Sequence, residues 1–243
     1  MKSCKTAYRI FDLAVSLVYP RRCPICDRIV IPYGQLIHSS CQKKVQYVDG
    51  PTCLKCGKPI NNDYEEYCTD CRKIRHFFDK GYSAFKYRSI SGSVYRLKYM
   101  GRQEYADYYA REIEKRLGPT LKSLNADAII PVPMYRLKEN QRGYNQAVVL
   151  SKAVGRILNI PVRTDVITRC RNTVPMKELD IMERRKNLKK AFIMSGNDVE
   201  LNCVIILDDI YTTGSTIDEM ARMFRRAGVQ RVYALTLAIG QTT

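Results

Sequence analysis

The chain has no tryptophan, only two histidines and few acids: 24 Asp and Glu stand against 41 Lys and Arg, a net charge of +17 over 243 residues. It also has no run of ~18 or more apolar residues, which excludes an ordinary membrane-spanning helix. The missing acids leave a basic molecule whose candidate partners are polyanions: nucleic acid, phosphorylated small molecules or an anionic membrane surface. At 45% hydrophobic residues it is too apolar for a disordered basic tail. Its length allows one or two domains.

The first 20 residues begin with basic character and carry Ile10, Phe11, Ala14, Leu17 and Val18 at helical spacing. Asp12 interrupts the apolar stretch and no small-residue cleavage site follows, so the segment reads as an amphipathic helix rather than a secretory signal. It either packs on the rest of the protein or lies on a membrane surface or a partner. A cytoplasmic location is expected, and there thiols stay reduced.

Cysteines are the first strong signal. Cys23-x2-Cys26, Cys53-x2-Cys56 and Cys68-x2-Cys71 are joined by a fourth pair, His38-x2-Cys41. Shifting Cys23, Cys26, His38 and Cys41 by 30 positions lands on Cys53, Cys56, Cys68 and Cys71. This internal repeat treats His38 as a cysteine equivalent, and each half has the paired spacing of a zinc ribbon or knuckle. Two zinc ions are expected, both structural, because four protein ligands leave no open position for a catalytic water. Disulfides and a thioredoxin-like redox pair suit the pattern less well, and an iron–sulfur cluster on the second set remains open. Lys58 is expected to offset thiolate charge, and Cys203 to be a core residue. Residues 21–75 hold too few apolar side chains for a core of their own, so metal coordination would supply folding free energy there.

From about residue 80 strands alternate with helices. Strands are expected at 80–87, 126–132, 165–168, 191–194, 203–207 and 232–237, and helices at 93–100, 104–117, 145–158 and 215–227. This is the pattern of an α/β domain with a mostly parallel sheet, which binds ligands beyond the carboxyl ends of its strands. There lie Asp208 and Asp209, then Thr212, Thr213, Gly214, Ser215 and Thr216 before a helix. Backbone N–H groups at a helix start bind phosphate, hydroxyls add donors, and the glycine allows close approach. The acids can accept hydrogen bonds from ribose hydroxyls. No Gly-Lys-Ser/Thr follows, so the loop is not a nucleotide P-loop; it suits a sugar phosphate. Both acids are expected at the end of the strand, at the mouth of the sheet, neither needed in the core. Arg136, Lys138 and Arg142, in one loop after Pro133, suit pyrophosphate. The basic run 182–190 is either an exposed helix or an arm over the site. Tyr82, Tyr87, Tyr95 and Tyr99 are candidates to stack on bases, although most tyrosines serve the core or the surface.

The hydrophobic strand, Asp208-Asp209 and the Thr-Thr-Gly-Ser-Thr run resemble the phosphoribosyl-pyrophosphate (PRPP) motif of type I phosphoribosyltransferases. The segments 130–137, 141–146, 96–102 and 183–188 resemble signatures of the ComF (late competence) family, in which a double zinc ribbon precedes a phosphoribosyltransferase-like domain. The chain is expected to divide into an amphipathic helix over 1–20, a double zinc ribbon over 21–76 and, as the resemblance implies, a phosphoribosyltransferase-like domain over 77–243. It implies that Asp208 and Asp209 hold ribose hydroxyls and that residues 212–216 hold the 5′-phosphate, with magnesium accompanying PRPP. It further implies handling of single-stranded DNA during uptake for natural transformation, with a competence helicase or channel protein as a possible partner. An active phosphoribosyltransferase is the alternative, with no acceptor identifiable. Two positions depart from the family: Tyr135 stands where His is common, and Thr173-Val-Pro-Met176 where Thr-x-x-Gln is common.

Overall fold

The computed structural model describes residues 20–60, 64–171, 191–195 and 200–240. The amphipathic segment before residue 20, the basic run 182–190 and the departure at 173–176 lie outside these residues. The α/β part carries a four-stranded parallel sheet and a separate strand pair, built from β1 (Lys80–Lys86), β2 (Ala128–Pro131), β3 (Ile167–Arg169), β4 (Phe192–Met194), β5 (Cys203–Tyr211) and β6 (Arg231–Ile239). The sheet order is β1-β6-β5-β2, and β3 and β4 pair separately and antiparallel. Helices in chain order are α1 (Ser39–Gln42), α2 (Thr69–Lys73), α3 (Tyr87–Tyr99), α4 (Tyr105–Ser123), α5 (Arg136–Arg142), α6 (Gln146–Leu158) and α7 (Ser215–Arg226).

Strand β5 is central and buried on both faces, as its unbroken apolar run requires. Ile205 and Leu207 join the cluster under α4 and α6, while Val204 and Ile206 join the cluster under α7. Cys203 is buried in the core, as expected.

Three sequence expectations are corrected. The strand does not stop at the two acids but runs through them to Tyr211, because β6 continues to pair with it up to Ile239. Helix α3 begins at Tyr87 rather than Ser93, its buried stripe Ile90, Val94 and Leu97 starting one turn earlier. Residues 136–142, expected to be a loop, form helix α5, closed by Gly143 at φ 85°.

The ribbon region does not stand apart. Val45 belongs to the main core, with Ile25, Leu36, Ile37 and Tyr47 packed against it. The chain at 46–48 lies along the free edge of β1: Val48 N–H donates to Ala84 O (3.0 Å) and Lys86 N–H to Gln46 O (2.9 Å), so this sheet edge is covered. At Gly57 (φ 76°) an added Cβ would sit 3.2 Å from the Gly81 carbonyl carbon, and Gly81 N–H donates to Lys55 O at 2.7 Å. This close backbone approach needs both glycines.

Candidate functional site

The eight predicted metal ligands form two groups. In each, the ligand atoms of Cys23, Cys26, His38 and Cys41, or of Cys53, Cys56, Cys68 and Cys71, all lie within 4.8 Å of one another. Sulfurs held ~2.3 Å from one tetrahedral zinc would be ~3.8 Å apart, so both sets fit the ion. His38 Nδ1 lies 3.3 Å from Cys26 Sγ, and its Nε2 lies 2.9 Å from the Ile29 carbonyl. An Nε2–H donated to that carbonyl leaves Nδ1 as the metal-facing nitrogen, the usual support of a ligating imidazole. Each set is closed by four protein ligands, so the two zinc sites are structural. Lys58 is buried, and its ammonium pairs with the Asp70 carboxylate at 2.5 Å.

The first ribbon is clamped to the α/β part by two arginines of the 96–102 segment. Arg96 donates to the carbonyls of Pro24 (2.9 Å) and Ile25 (2.8 Å). Arg102 makes a forked pair with Asp27 (2.9 and 3.2 Å), and Tyr105 O–H donates to the same carboxylate at 2.6 Å. These arginines serve the ribbon, not a phosphate.

At the carboxyl end of β5 the chain turns through residues 212–214 into α7. Gly214 caps the helix at φ 72°, and an added Cβ would lie 2.7 Å from Tyr211 Cζ. Only glycine fits both the left-handed backbone and the packed phenol ring. Asp208, Ile210, Tyr211, Thr212, Thr213, Gly214, Ser215, Thr216 and Ile217 line a small open pocket. Thr213 and Ser215 hydroxyls meet at 2.9 Å. The predicted loop residues are thus together, around the amino end of a 12-residue helix whose first turn offers N–H groups and a positive dipole end.

The two acids do not act alike, because successive strand residues face opposite ways. Asp208 lines the loop pocket and accepts from its own neighbour, the Asp209 N–H, at 2.8 Å. Asp209 is buried on the other face, ion-paired with Lys98 of α3, and accepts from Gln146 Nε2 of α6 at 3.1 Å. The expectation that neither side chain is needed in the core is therefore corrected for Asp209: its buried charge is answered by a lysine fixed on a packed helix. Burial, and then the charge of Asp209, push the Asp208 carboxyl well above the usual carboxylate range. Burial opposes the Asp209 charge as well, but the Lys98 ammonium outweighs it and holds that carboxyl below the usual range.

Of the predicted arginines, Arg142 reaches this network, donating to the Gln146 side-chain oxygen. Arg136 lines a neighbouring cleft with Pro131, Pro133, Asn145, Thr168 and Arg169. Half-buried Arg169, at the end of β3, lies near enough to Asp208 for its charge to be felt there. Sequence reading missed Lys98, Gln146 and Arg169 as site residues. The signal for Lys98 was available: a lysine in a helix with no acidic residue of its own, needed somewhere as the counter-ion of a buried acid.

Two closed zinc-ligand sets joined to a parallel sheet with an acid–hydroxyl–glycine loop define a double zinc ribbon protein with an α/β domain. The double zinc ribbon domain family matches residues 14–72. Competence protein F of Haemophilus influenzae is 33% identical over 210 residues, covering 82% of this chain and 89% of that protein. The chain therefore belongs to the ComF family. DNA utilization protein YhgH of Escherichia coli O157:H7 is 28% identical over 220 residues, covering 89% of this chain and 96% of its own. A purine phosphoribosyltransferase from Pyrococcus horikoshii is 17% identical, covers 57% of this chain and 73% of its own, and superposes with a TM-score of 0.31, too low to carry an argument. Among the described residues no helix is long and apolar enough to cross a membrane.

Proposed function

We propose that the α/β domain binds phosphoribosyl pyrophosphate with magnesium and that the protein handles single-stranded DNA during DNA uptake. The observation that carries the first part is the pocket in which Asp208 faces the hydroxyls and N–H groups of residues 212–216. A pentose 5′-phosphate needs both: donors for the phosphate, a carboxylate for ribose hydroxyls. Magnesium would be drawn to Asp208, the acid that opens on the pocket, while Arg142 and Arg169 supply positive charge for pyrophosphate. Asp209, Lys98 and Gln146 hold the strand end from behind.

The DNA part is supported by the charge of +17 and by relatives named for competence and DNA utilization. The test is calorimetric titration with PRPP and Mg²⁺, followed by a pyrophosphate-release assay with and without single-stranded DNA. Saturable binding with 1:1 stoichiometry is expected. Binding without release describes a PRPP-responsive DNA-handling protein; release describes a transferase. Absence of binding refutes the pocket assignment.

A further inference from the structure

Helix α3 presents four exposed positions, Arg88, Gly92, Tyr95 and Tyr99, at spacings of four, three and four residues that place them on one face. The other faces are committed: Ile90, Val94 and Leu97 enter the core, Arg96 clamps the first ribbon, and Lys98 pairs with Asp209. Among the described residues the exposed face has no such partner in the core. Tyr95 and Tyr99 are 59% and 61% exposed, and their rings lie 5.0 Å apart, centroid to centroid. The Arg142 guanidinium sits 4.7 Å from the Tyr99 ring centre. The helix carries no acidic residue.

We propose that this face is a base-stacking platform for single-stranded DNA, with Tyr95 and Tyr99 as the rings and Arg88 and Arg142 as the phosphate-binding ends. The inference rests on the DNA-handling reading above and gives it a location. Arg88 and Tyr99 are eleven residues apart, about 16 Å along the helix, so the platform spans a short stretch of strand rather than a single base. Gly92 keeps the middle of the stripe flat, without a side chain between Arg88 and the rings. Stacking uses the face every base possesses, so such a surface tolerates any sequence. The cations at its ends suit the backbone phosphates. An ordinary surface role for two tyrosines does not require them to lie against each other, one of them under an arginine, while both stay exposed.

The platform also adjoins the pocket. Arg142 both covers Tyr99 and donates to Gln146, which holds Asp209. Lys98, next to Tyr99 in the chain, holds the same carboxylate. A strand seated on Tyr99 would therefore lie against the residues that support the PRPP loop from behind. Of the four tyrosines singled out from the sequence, Tyr82 and Tyr87 are partly buried against the core; Tyr95 and Tyr99 are the pair left free to stack.

The test compares full-length, zinc-loaded protein binding to a labelled oligodeoxythymidylate and to a chain of the same length without bases, by fluorescence anisotropy at ~50 mM salt. Both chains offer the same phosphates, so their difference reads stacking alone. Wild type is expected to prefer the base-bearing chain by at least ~5-fold per stacked base. Tyr95→Ala with Tyr99→Ala should remove the preference and leave abasic binding within about two-fold. Tyr99→Phe should keep it. Because the chain has no tryptophan, Tyr99→Trp places a single reporter on the platform, and its emission should be quenched by the thymidylate chain and not by the abasic one. Circular dichroism and thermal melting show that each variant is folded. A preference undiminished in the folded double variant overturns the platform, as does wild-type protein binding both chains equally; the DNA-handling reading survives both. Wild-type protein that binds neither chain overturns the DNA-handling reading and the platform with it.

Discussion

Lys98→Met is the most informative single change in the core. It leaves the Asp209 carboxylate buried, with Gln146 as its remaining side-chain donor. Removing one partner of a buried ion pair costs about 3–5 kcal/mol. Lys98 is one-fifth exposed at its side chain, against 6% for Asp209, and the Gln146 hydrogen bond persists, so the lower end, about 3 kcal/mol, applies. For a chain of this size that corresponds to a fall in Tm of about 6–12 °C. The loss should depend on pH in a defined direction. In wild type the Asp209 pKa is depressed, so its contribution is present above the ordinary carboxylate pKa and is lost as pH falls through the depressed value. In Lys98→Met burial raises that pKa, so the carboxyl takes up a proton on mild acidification and the deficit relative to wild type shrinks. Adding Asp209→Asn removes the orphaned charge and should restore most of the lost stability, giving a coupling of at least about 2 kcal/mol between the two sites. Urea unfolding followed by circular dichroism at neutral and mildly acidic pH measures all three. A single variant within about 0.5 kcal/mol of wild type at neutral pH, or one whose deficit does not change on acidification, would show that Asp209 is not the buried charge described.

Elemental analysis should find two zinc ions per chain, and His38→Ala should selectively weaken the first; a single zinc unaffected by His38→Ala refutes that ligand assignment. Gly214→Ala should weaken PRPP binding at least ten-fold by calorimetry, since its Cβ meets the Tyr211 ring and its φ is left-handed, with a stability cost of about 1–3 kcal/mol; unchanged affinity would remove the loop from the site. PRPP–Mg²⁺ affinity should weaken as pH falls through the raised Asp208 pKa, because protonation removes the carboxylate that faces the pocket, and Asp208→Asn should bind weakly with that pH dependence gone. Affinity for single-stranded DNA should fall steeply between ~50 mM and ~200 mM salt as counterion release weakens; an anisotropy series flat in salt excludes direct backbone contact.

Much of this was legible in the chain because the signals were local. A 30-residue offset that superimposes four ligand positions needs no tertiary information, and neither does a glycine among hydroxyls before a helix. What the sequence concealed was which way side chains point. Asp208 and Asp209 look like a matched pair in one dimension; strand alternation sends one to the loop pocket and the other to Lys98. The continuation of β5 past the acids was invisible because strand pairing, not composition, carries the strand to Tyr211. The basic segment 136–142 read as a loop because it follows the strand end at Pro131-Val-Pro133; its helix depends on Gly143 as a left-handed stop. The segment 96–102 stood out only as a family signature; that Arg96 and Arg102 clamp the first ribbon through its carbonyls and Asp27 depends on tertiary contacts.

The second ribbon is packed against the loop that follows β5 rather than tethered beside it. Cys53, Cys56 and Cys68 lie in one buried cluster with Phe78, Tyr211 and Ile217. Phe78 meets Tyr211 edge-on at 6.3 Å, and Tyr211 is the ring that forces glycine at position 214. From the same stretch of chain, the Phe77 N–H donates to the Asp218 carboxylate at 2.6 Å and His76 Nδ1 lies 3.5 Å from it. Asp218 is in the first turn of α7, whose amino end forms the pocket. The amino end of α7 is thus pinned at two points by residues that follow the Cys68–Cys71 pair within one short segment. A ligand set that folds only around its metal transmits that order to whatever its neighbours touch. Zinc removal should therefore expose the amides of residues 212–218 to hydrogen exchange and weaken PRPP binding together, while the register of β5 with β6, buried on both faces, stays protected. Loss of protection confined to the ribbons, with the loop unchanged, would separate the two parts that the packing joins.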